Sequence, residues 1–125
     1  MKAFILFVLG VCFGQEITDL KNKIEVEDGK FIDEFGREVL LHGVNMVYKV
    51  DPYLPIIDKF DADSSLTDQD ILNLKGWGIN FVRLGVLWEA AETSQGVWNQ
   101  TYLQGLNDIA FRLGEQGIYT LVDGH

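Results

Sequence analysis

Hydrophobic and polar positions along the chain predict a repeat of strands and helices. Residues 80–86 form a short, mostly apolar run bounded by glycine, which is typical of a parallel strand covered on both faces. Residues 118–123 have the same character. The segment between them predicts a helix that ends at Gly117, because apolar residues recur at three- and four-residue spacing: Tyr102, Leu103, Leu106, Ile109, Ala110 and Leu113.

The earlier part of the chain carries one more unit of this kind. Residues 30–33 and 38–41 predict a β-hairpin around a glycine turn, and its second arm is expected to continue into a strand that ends at Asn45. Residues 46–65 have no periodicity and contain both prolines, so they predict a long loop.

A capping box then predicts a helix. Thr67 is followed three residues later by Asp70, and the helix is expected to continue to Lys75 and to end at the glycines 76 and 78. The whole order therefore indicates an α/β protein with a parallel sheet in one domain. An open doubly wound sheet and a closed barrel share this order, although no G-x-G-x-x-G turn supports a dinucleotide site.

The amino terminus predicts a secreted protein. Lys2 precedes an apolar run over residues 3–13, and small residues lie just before Gln15, so residues 1–14 read as a signal peptide. A membrane anchor is disfavoured because a bilayer span needs about 20 apolar residues. Residues 15–29 are interpreted as a lead-in, and residues 30–125 as part of an α/β domain that stops before a fourth strand.

Composition narrows the partners. The chain has 125 residues, 19 of them acidic and 10 basic, and a net charge of −9 disfavours nucleic acid as a partner. Its one cysteine, Cys12, lies within the signal, so no thiolate metal site is expected in the mature segment. The sequon at Asn99 is a candidate glycosylation site.

Titratable and polar residues lie where the predicted strands end. Reactive groups of parallel β/α proteins collect at this edge of the sheet. The strand that follows the hairpin ends in Asn45. The strand predicted over residues 118–123 ends in Asp123, and His125, two residues later, would share its face. Arg83 points away from the helix-covered face, so it should meet a carboxylate, either to stabilise the fold or to support catalysis. His125 could be structural or catalytic.

The predicted loop over residues 46–65 is unusually apolar. Two interpretations remain open: its side chains pack on neighbouring segments, or they form a lip for a lipid portion of a substrate. The residues concerned are Met46, Val47, Tyr48, Val50, Tyr53, Leu54, Ile56 and Ile57. Lys49 lies among them and could meet a polar group.

Three stretches together resemble glycoside hydrolase family 5. They are residues 42–45 (His-Gly-Val-Asn), residues 78–99 with their Arg83, Trp88, Glu92 and Gly-Val-Trp-Asn, and residues 117–125, which end in Asp-Gly-His. Within that family, the combination of Asn45 and Lys49 with Asp123 and His125 is most similar to the endoglycoceramidases.

This resemblance implies a retaining hydrolase that cuts the β-glycosidic bond between oligosaccharide and ceramide, without a metal or other cofactor. Two carboxylates about 5 to 5.5 Å apart are needed for that chemistry. The resemblance places both glutamates after later strands of a (β/α)8 TIM barrel, beyond His125. It implies supporting roles for Arg83 and His125, and sugar binding by Asn45, Lys49 and Asp123.

The segment alone is therefore expected to be inactive, and Glu92 is expected to belong to a structural turn rather than to the catalytic pair. A β-glucanase acting on polysaccharide is the alternative enzyme. A chain that binds glycans without hydrolysing them is the alternative from another class, although a sheet with two uncovered edges is prone to aggregate.

Overall fold

The computed structural model describes residues 23–124. The predicted signal peptide, the first part of the lead-in and His125 lie outside the described residues. The elements in chain order are β1 (Ile24–Glu27), β2 (Lys30–Asp33), β3 (Gly43–Met46), α1 (Asp68–Gly76), β4 (Phe81–Val86), α2 (Trp88–Ala91), β5 (Glu92–Ser94), β6 (Val97–Trp98), α3 (Gln100–Glu115) and β7 (Tyr119–Gly124).

Strands β3, β4 and β7 form a parallel sheet in that order. Strand β4 is its central strand, since it pairs with β3 on one side and with β7 on the other. Helix α1 connects the first two strands, and α3 connects the second to the third. The predicted repeat of parallel strands and helices is confirmed for this part of the chain.

The hydrophobic core lies between the sheet and the helices. Val82 and Leu84 of β4 are 0% and 1% exposed, whereas Arg83 between them points to the other face. The helices contribute Ile71 of α1 and the residues of α3 that share one face: Tyr102, Leu106, Ile109 and Leu113. The spacing of apolar residues thus identified the buried stripe of α3.

Helix α1 begins at the predicted capping box. Thr67 Oγ1 accepts a hydrogen bond from the Asp70 backbone N–H at 3.3 Å, and Asp70 Oδ2 accepts one from the Thr67 backbone N–H at 2.8 Å. These bonds satisfy donors that have no partner within the first helical turn. Gly78 then takes a positive φ of 81°, a left-handed conformation that favours glycine just beyond a helix end.

Helix α3 is tied to both neighbouring units. The Tyr102 hydroxyl accepts a hydrogen bond from the Leu87 backbone N–H at 3.0 Å, just beyond the end of β4. Near the other end of the helix, Arg112 donates to the Leu66 carbonyl at 3.0 Å and to the Asp68 carboxylate at 2.7 Å. We refer to these two contacts as the Arg112 bridge; it joins α3 to the start of α1.

The amino-terminal hairpin differs from the prediction. It is formed by β1 and β2 around Asp28 and Gly29, which both have positive φ angles of 48° and 77°. Of the predicted second arm, residues 38–41, only the first part pairs with β2: Glu38 forms a bridge with Ile32, and the Val39 backbone N–H donates to the Phe31 carbonyl at 2.7 Å. The predicted turn is thus present, but its second arm is not a continuous strand that runs into β3. Asp33 Oδ1 accepts hydrogen bonds from the backbone N–H groups of Phe35 and Arg37, and these bonds close the tight turn that follows β2.

The segment after β4 contains further short elements. Residues 87–99 contain the short helix α2 and a two-stranded antiparallel ribbon formed by β5 and β6. By contrast, the segment between β3 and α1 is a long loop, as expected, with a single isolated bridge between Ile56 and Ser65. No helix within residues 23–124 is long and apolar enough to cross a membrane.

Candidate active site

Asn45, Arg83 and Asp123 share the face of the sheet opposite the helices. Arg83 is in register with Asn45 on β3, and Asp123 on β7 is in register with Gly85, two residues beyond Arg83. Residues in register in a parallel sheet point to the same side, and so do residues two apart on one strand. All three therefore lie near the carboxyl ends of three adjacent strands, where the sequence predicted a site.

Arg83 and Asp123 form an ion pair. The distance between Arg83 Nη2 and Asp123 Oδ2 is 2.5 Å, and the two side chains are 36% and 31% exposed. The expectation that Arg83 meets a carboxylate is thus confirmed. A guanidinium carries five N–H donors in a planar fork, more than one carboxylate oxygen engages. The guanidinium can therefore hold this pairing and still present donors to a ligand.

The other predicted site residues are not part of this ion pair. Asn45 is exposed. Lys49 is also exposed and lies three residues beyond the end of β3, in the long loop rather than on the sheet. His125 lies outside the described residues. Asn99 is half-buried at the start of α3, where its Oδ1 accepts a hydrogen bond from the Tyr102 backbone N–H at 3.1 Å.

Glu92 belongs to a turn, as the resemblance implied. Its Oε1 accepts a hydrogen bond from the Gly96 backbone N–H at 2.6 Å, and Gly96 has a positive φ of 77° in the turn between β5 and β6. The carboxylate thus closes the ribbon. Among residues 23–124, no group of three or more His, Cys, Asp or Glu side chains is arranged to hold a metal ion.

The apolar residues of the long loop fall into two groups, one packed and one exposed. Met46, Tyr53 and Leu54 pack against the core, as expected if the loop covers neighbouring segments. Val50 and Ile57 are instead 80% and 54% exposed. Packing therefore accounts for only part of the loop's apolar character.

Tyr53 joins the long loop to the region after β4. Partial burial and then the neighbouring Glu89 carboxylate raise the pKa of the Tyr53 hydroxyl. Its backbone has a positive φ of 63°, which is unusual for a bulky side chain. Sequence reasoning did not assign this contact, because the long loop and α2 have no periodicity that relates them.

Two tryptophans are the other feature that the sequence did not assign to the site. Trp88 begins α2 directly after Leu87, and Trp98 lies in β6; they are 62% and 48% exposed. Their ring centroids are 5.9 Å apart with an interplanar angle of 74°. The sequence feature that could have pointed to this pair is the position of Trp88, two residues beyond the end of the buried strand β4.

The parallel sheet with its helices on one face places the chain among the β/α proteins, whose enzymes carry their active sites at the carboxyl ends of the strands, where Arg83 and Asp123 pair. Comparison with known families identifies it further. Residues 32–125 match the model of the cellulase family, glycosyl hydrolase family 5. The chain belongs to this family of glycoside hydrolases.

The chain is similar to several endoglycoceramidases. It is 34% identical over 102 residues to one from Cyanea nozakii and 38% identical over 102 residues to endoglycoceramidase I from Rhodococcus hoagii; each alignment covers 82% of this chain and 20% of the relative. One from Hydra vulgaris is 32% identical over 121 residues, which is 97% of this chain and 23% of that protein. The chain thus spans about a fifth of the length of these curated relatives.

Solved structures agree. An endogalactoceramidase superposes with a TM-score of 0.59 and 28% identity over 80% of this chain and 22% of that structure. Endoglycoceramidase II from Rhodococcus sp., solved as a lactosyl-enzyme intermediate, superposes with a TM-score of 0.59 and 26% identity over 74% of this chain and 20% of that structure.

Proposed function

We propose that this chain is the amino-terminal part of a secreted retaining glycosidase that cleaves the linkage between oligosaccharide and ceramide in glycosphingolipids. The observation that carries the proposal is the Arg83–Asp123 pair at the carboxyl ends of β4 and β7, in a chain of family 5 that is 32% to 38% identical to endoglycoceramidases. The three parallel strands would be the first three of an eight-stranded barrel.

The retaining mechanism is supported by a relative. The structure of endoglycoceramidase II contains a lactosyl-enzyme intermediate, and a covalent glycosyl-enzyme species is the hallmark of retention. Two glutamates on later strands would act as nucleophile and as acid and base. Described residues would prepare the site: Arg83 would donate to the nucleophile and hold it ionised, while Asp123 would fix the guanidinium and accept from a sugar hydroxyl.

Three further residues complete this assignment. Asn45 lies beside Arg83 in the sheet and would donate to a sugar oxygen. Lys49 would reach the pocket from the long loop, and His125 would support the site two residues beyond Asp123. Cleavage by the 125 residues alone is not expected, since the catalytic glutamates would belong to the remainder of the protein.

The test is hydrolysis by the protein expressed from its complete reading frame. Lactosylceramide should yield intact lactose, and Arg83→Gln should lower kcat by about 100-fold, the order found when one donor to a developing charge is removed. Arg37→Gln is the matched control, because Arg37 pairs with Asp33 on the exposed turn of the hairpin. Equal activity of the two variants would contradict the assigned role of Arg83.

A β-glucanase is the second candidate, favoured by the cellulase description of the matching family. Parallel assays with cello-oligosaccharides distinguish the two candidates. Faster cleavage of cellotetraose than of lactosylceramide would select the glucanase.

Secretion is part of the proposal. The predicted signal over residues 1–14 would direct the protein to the secretory pathway, and Asn99 would then be glycosylated. The hydrogen bond to Tyr102 uses Oδ1, whereas a glycan attaches to Nδ2, so the helix cap and the glycan are compatible. Recovery of the protein from the medium of eukaryotic cells would support secretion. An added mass that a deglycosylating enzyme removes, and that is absent from Asn99→Asp, would support glycosylation of Asn99.

A further inference from the structure

The tryptophans Trp88 and Trp98 form an exposed aromatic pair at the carboxyl edge of the sheet. Both rings lie between the end of β4 and the start of α3, and in a parallel β/α unit this segment borders the crevice above the strands. Burying a tryptophan is strongly favourable, so two neighbouring rings that remain 62% and 48% exposed present unused apolar area.

The position of the pair argues against its being an open edge that further strands would cover. Strand β4 is flanked by β3 on one side and by β7 on the other, so the segment that follows β4 lies over the middle of the sheet. Strands added to the sheet would join at β3 or β7. They would therefore not cover the segment that follows β4.

The geometry of the rings suits a flat ligand. They meet edge to face, at 74°, so the ring that contributes its edge keeps both of its faces clear of its partner. Sugar rings offer an apolar face of C–H groups to such a surface, with hydroxyl groups around the rim that need acceptors. The exposed Glu89 carboxylate, next to Trp88 in the chain, is an acceptor of that kind.

The Glu89 carboxylate and the charge of the chain disfavour a lipid surface as the occupant. Inserting the pair into an acyl layer would carry Glu89 toward hydrocarbon, where an ionised carboxylate is costly. The net charge of −9 opposes an anionic headgroup layer as well. A neutral sugar avoids both costs.

We propose that Trp88 and Trp98 form a sugar-stacking subsite that holds a unit of the glycan other than the ring being cleaved. The inference rests on the proposed function, and it adds a specificity element that the Arg83–Asp123 pair does not provide. The site lies beyond the end of β4, so the stacked sugar would be held at the rim while the reacting ring lies deeper, near Arg83.

The test compares a soluble aryl β-lactoside with lactosylceramide, using the complete protein. Trp88→Ala and Trp98→Ala should each lower kcat/KM by about ten-fold on both substrates, mainly through KM, as expected for one lost stacking contact. Trp88→Phe and Trp98→Phe should recover most of that loss and should also report on folding. Trp77→Ala is the matched control, because Trp77 is 72% exposed but lies at the end of α1, before β4 begins.

Each outcome has a distinct meaning. A loss confined to lactosylceramide would assign the rings to the ceramide and overturn the proposal. The proposal is also overturned if the Trp88→Ala and Trp98→Ala variants have the same kcat/KM as Trp77→Ala. If the unaltered protein hydrolyses neither substrate, the proposed function fails, and lactose titration followed by tryptophan fluorescence tests the subsite separately. A saturable change that Trp98→Ala abolishes would support the subsite; no change with the unaltered protein would overturn it.

Discussion

The two faces of the three-stranded sheet differ although they belong to the same strands. On the face toward α1 and α3, β4 presents Val82 and Leu84, which are 0% and 1% exposed. On the opposite face, the same strand presents Arg83, paired with Asp123 and about one third exposed. The period of two residues in a strand therefore separates stability from chemistry within a single tripeptide.

The largest loss of stability is expected from a substitution on the helix-covered face of the sheet. Leu84→Ala removes buried methyl groups from a packed core and should lower the free energy of unfolding by about 2–5 kcal/mol. Leu72→Ala makes the same deletion at a position of α1 that is 47% exposed and should cost much less. Denaturant unfolding of both variants checks the difference; equal losses would mean that Leu84 does not lie in the core.

The next effect tests how closely β3 approaches β4. A Cβ atom on Gly43 would lie 2.1 Å from the Phe81 carbonyl oxygen, so Gly43→Ala forces the strands to shift and should cost about 1–3 kcal/mol. Gly114→Ala is the control, since its Cβ would have no neighbour within 4 Å and α3 would gain about 0.5–1 kcal/mol. Thermal unfolding should shift in opposite directions for the two variants.

A smaller effect concerns the helix layer and its response to pH. Thr67→Ala should cost about 1 kcal/mol by removing the helix cap. Hydrogen bonds from the Thr67 backbone and then from its side chain hold the pKa of Asp70 below its ordinary value of 3.8. Because the folded pKa is lowered, this stabilisation is complete above pH 3.8 and is lost as the pH falls through the folded value.

Unfolding midpoints measured between pH 6 and pH 2 check this dependence. The acid-induced loss of stability should be smaller in Asp70→Asn, which cannot take up that proton. An unchanged acid profile in Asp70→Asn would mean that the capping box does not contribute to the acid sensitivity of the fold.

The smallest effect on stability is expected on the face opposite the helices, at the Arg83–Asp123 pair. The Arg83–Asp123 ion pair is partly exposed, so its coupling energy should be below about 1 kcal/mol in a double-mutant cycle of Arg83→Gln and Asp123→Asn. The loss of catalysis proposed above for Arg83→Gln is much larger than this. A coupling of several kcal/mol would instead make the pair a structural element.

Predictions from the sequence were accurate where one physical pattern decided the structure. The apolar run of β4, the stripe of α3 and the capping box at Thr67 each depend on local periodicity or on one short motif. The pairing of Arg83 with a carboxylate was expected from the cost of an unpaired charge. The backbone register that placed Asp123 nearest could not be derived from spacing.

The failures have physical causes as well. Residues 24–27 alternate apolar and acidic positions and precede Asp28 and Gly29, a dipeptide that favours the tight turn of a hairpin, but the segment was interpreted as a lead-in. Residues 38–41 look like a strand, yet only Glu38 and Val39 pair with β2, and the Leu40 carbonyl accepts from the Asn80 side chain instead of from a strand. The Trp88–Trp98 contact depends on the ribbon that brings residues ten apart together.

The Arg112 bridge also bears on the order in which the fold can assemble during synthesis. It connects Arg112 with Asp68, 44 positions earlier, and it joins units that are neighbours both in the chain and in space. By the time Arg112 leaves the ribosome, both of its partners are already available. The first two helices of the repeat can therefore dock as the chain is made, before any later strand contributes.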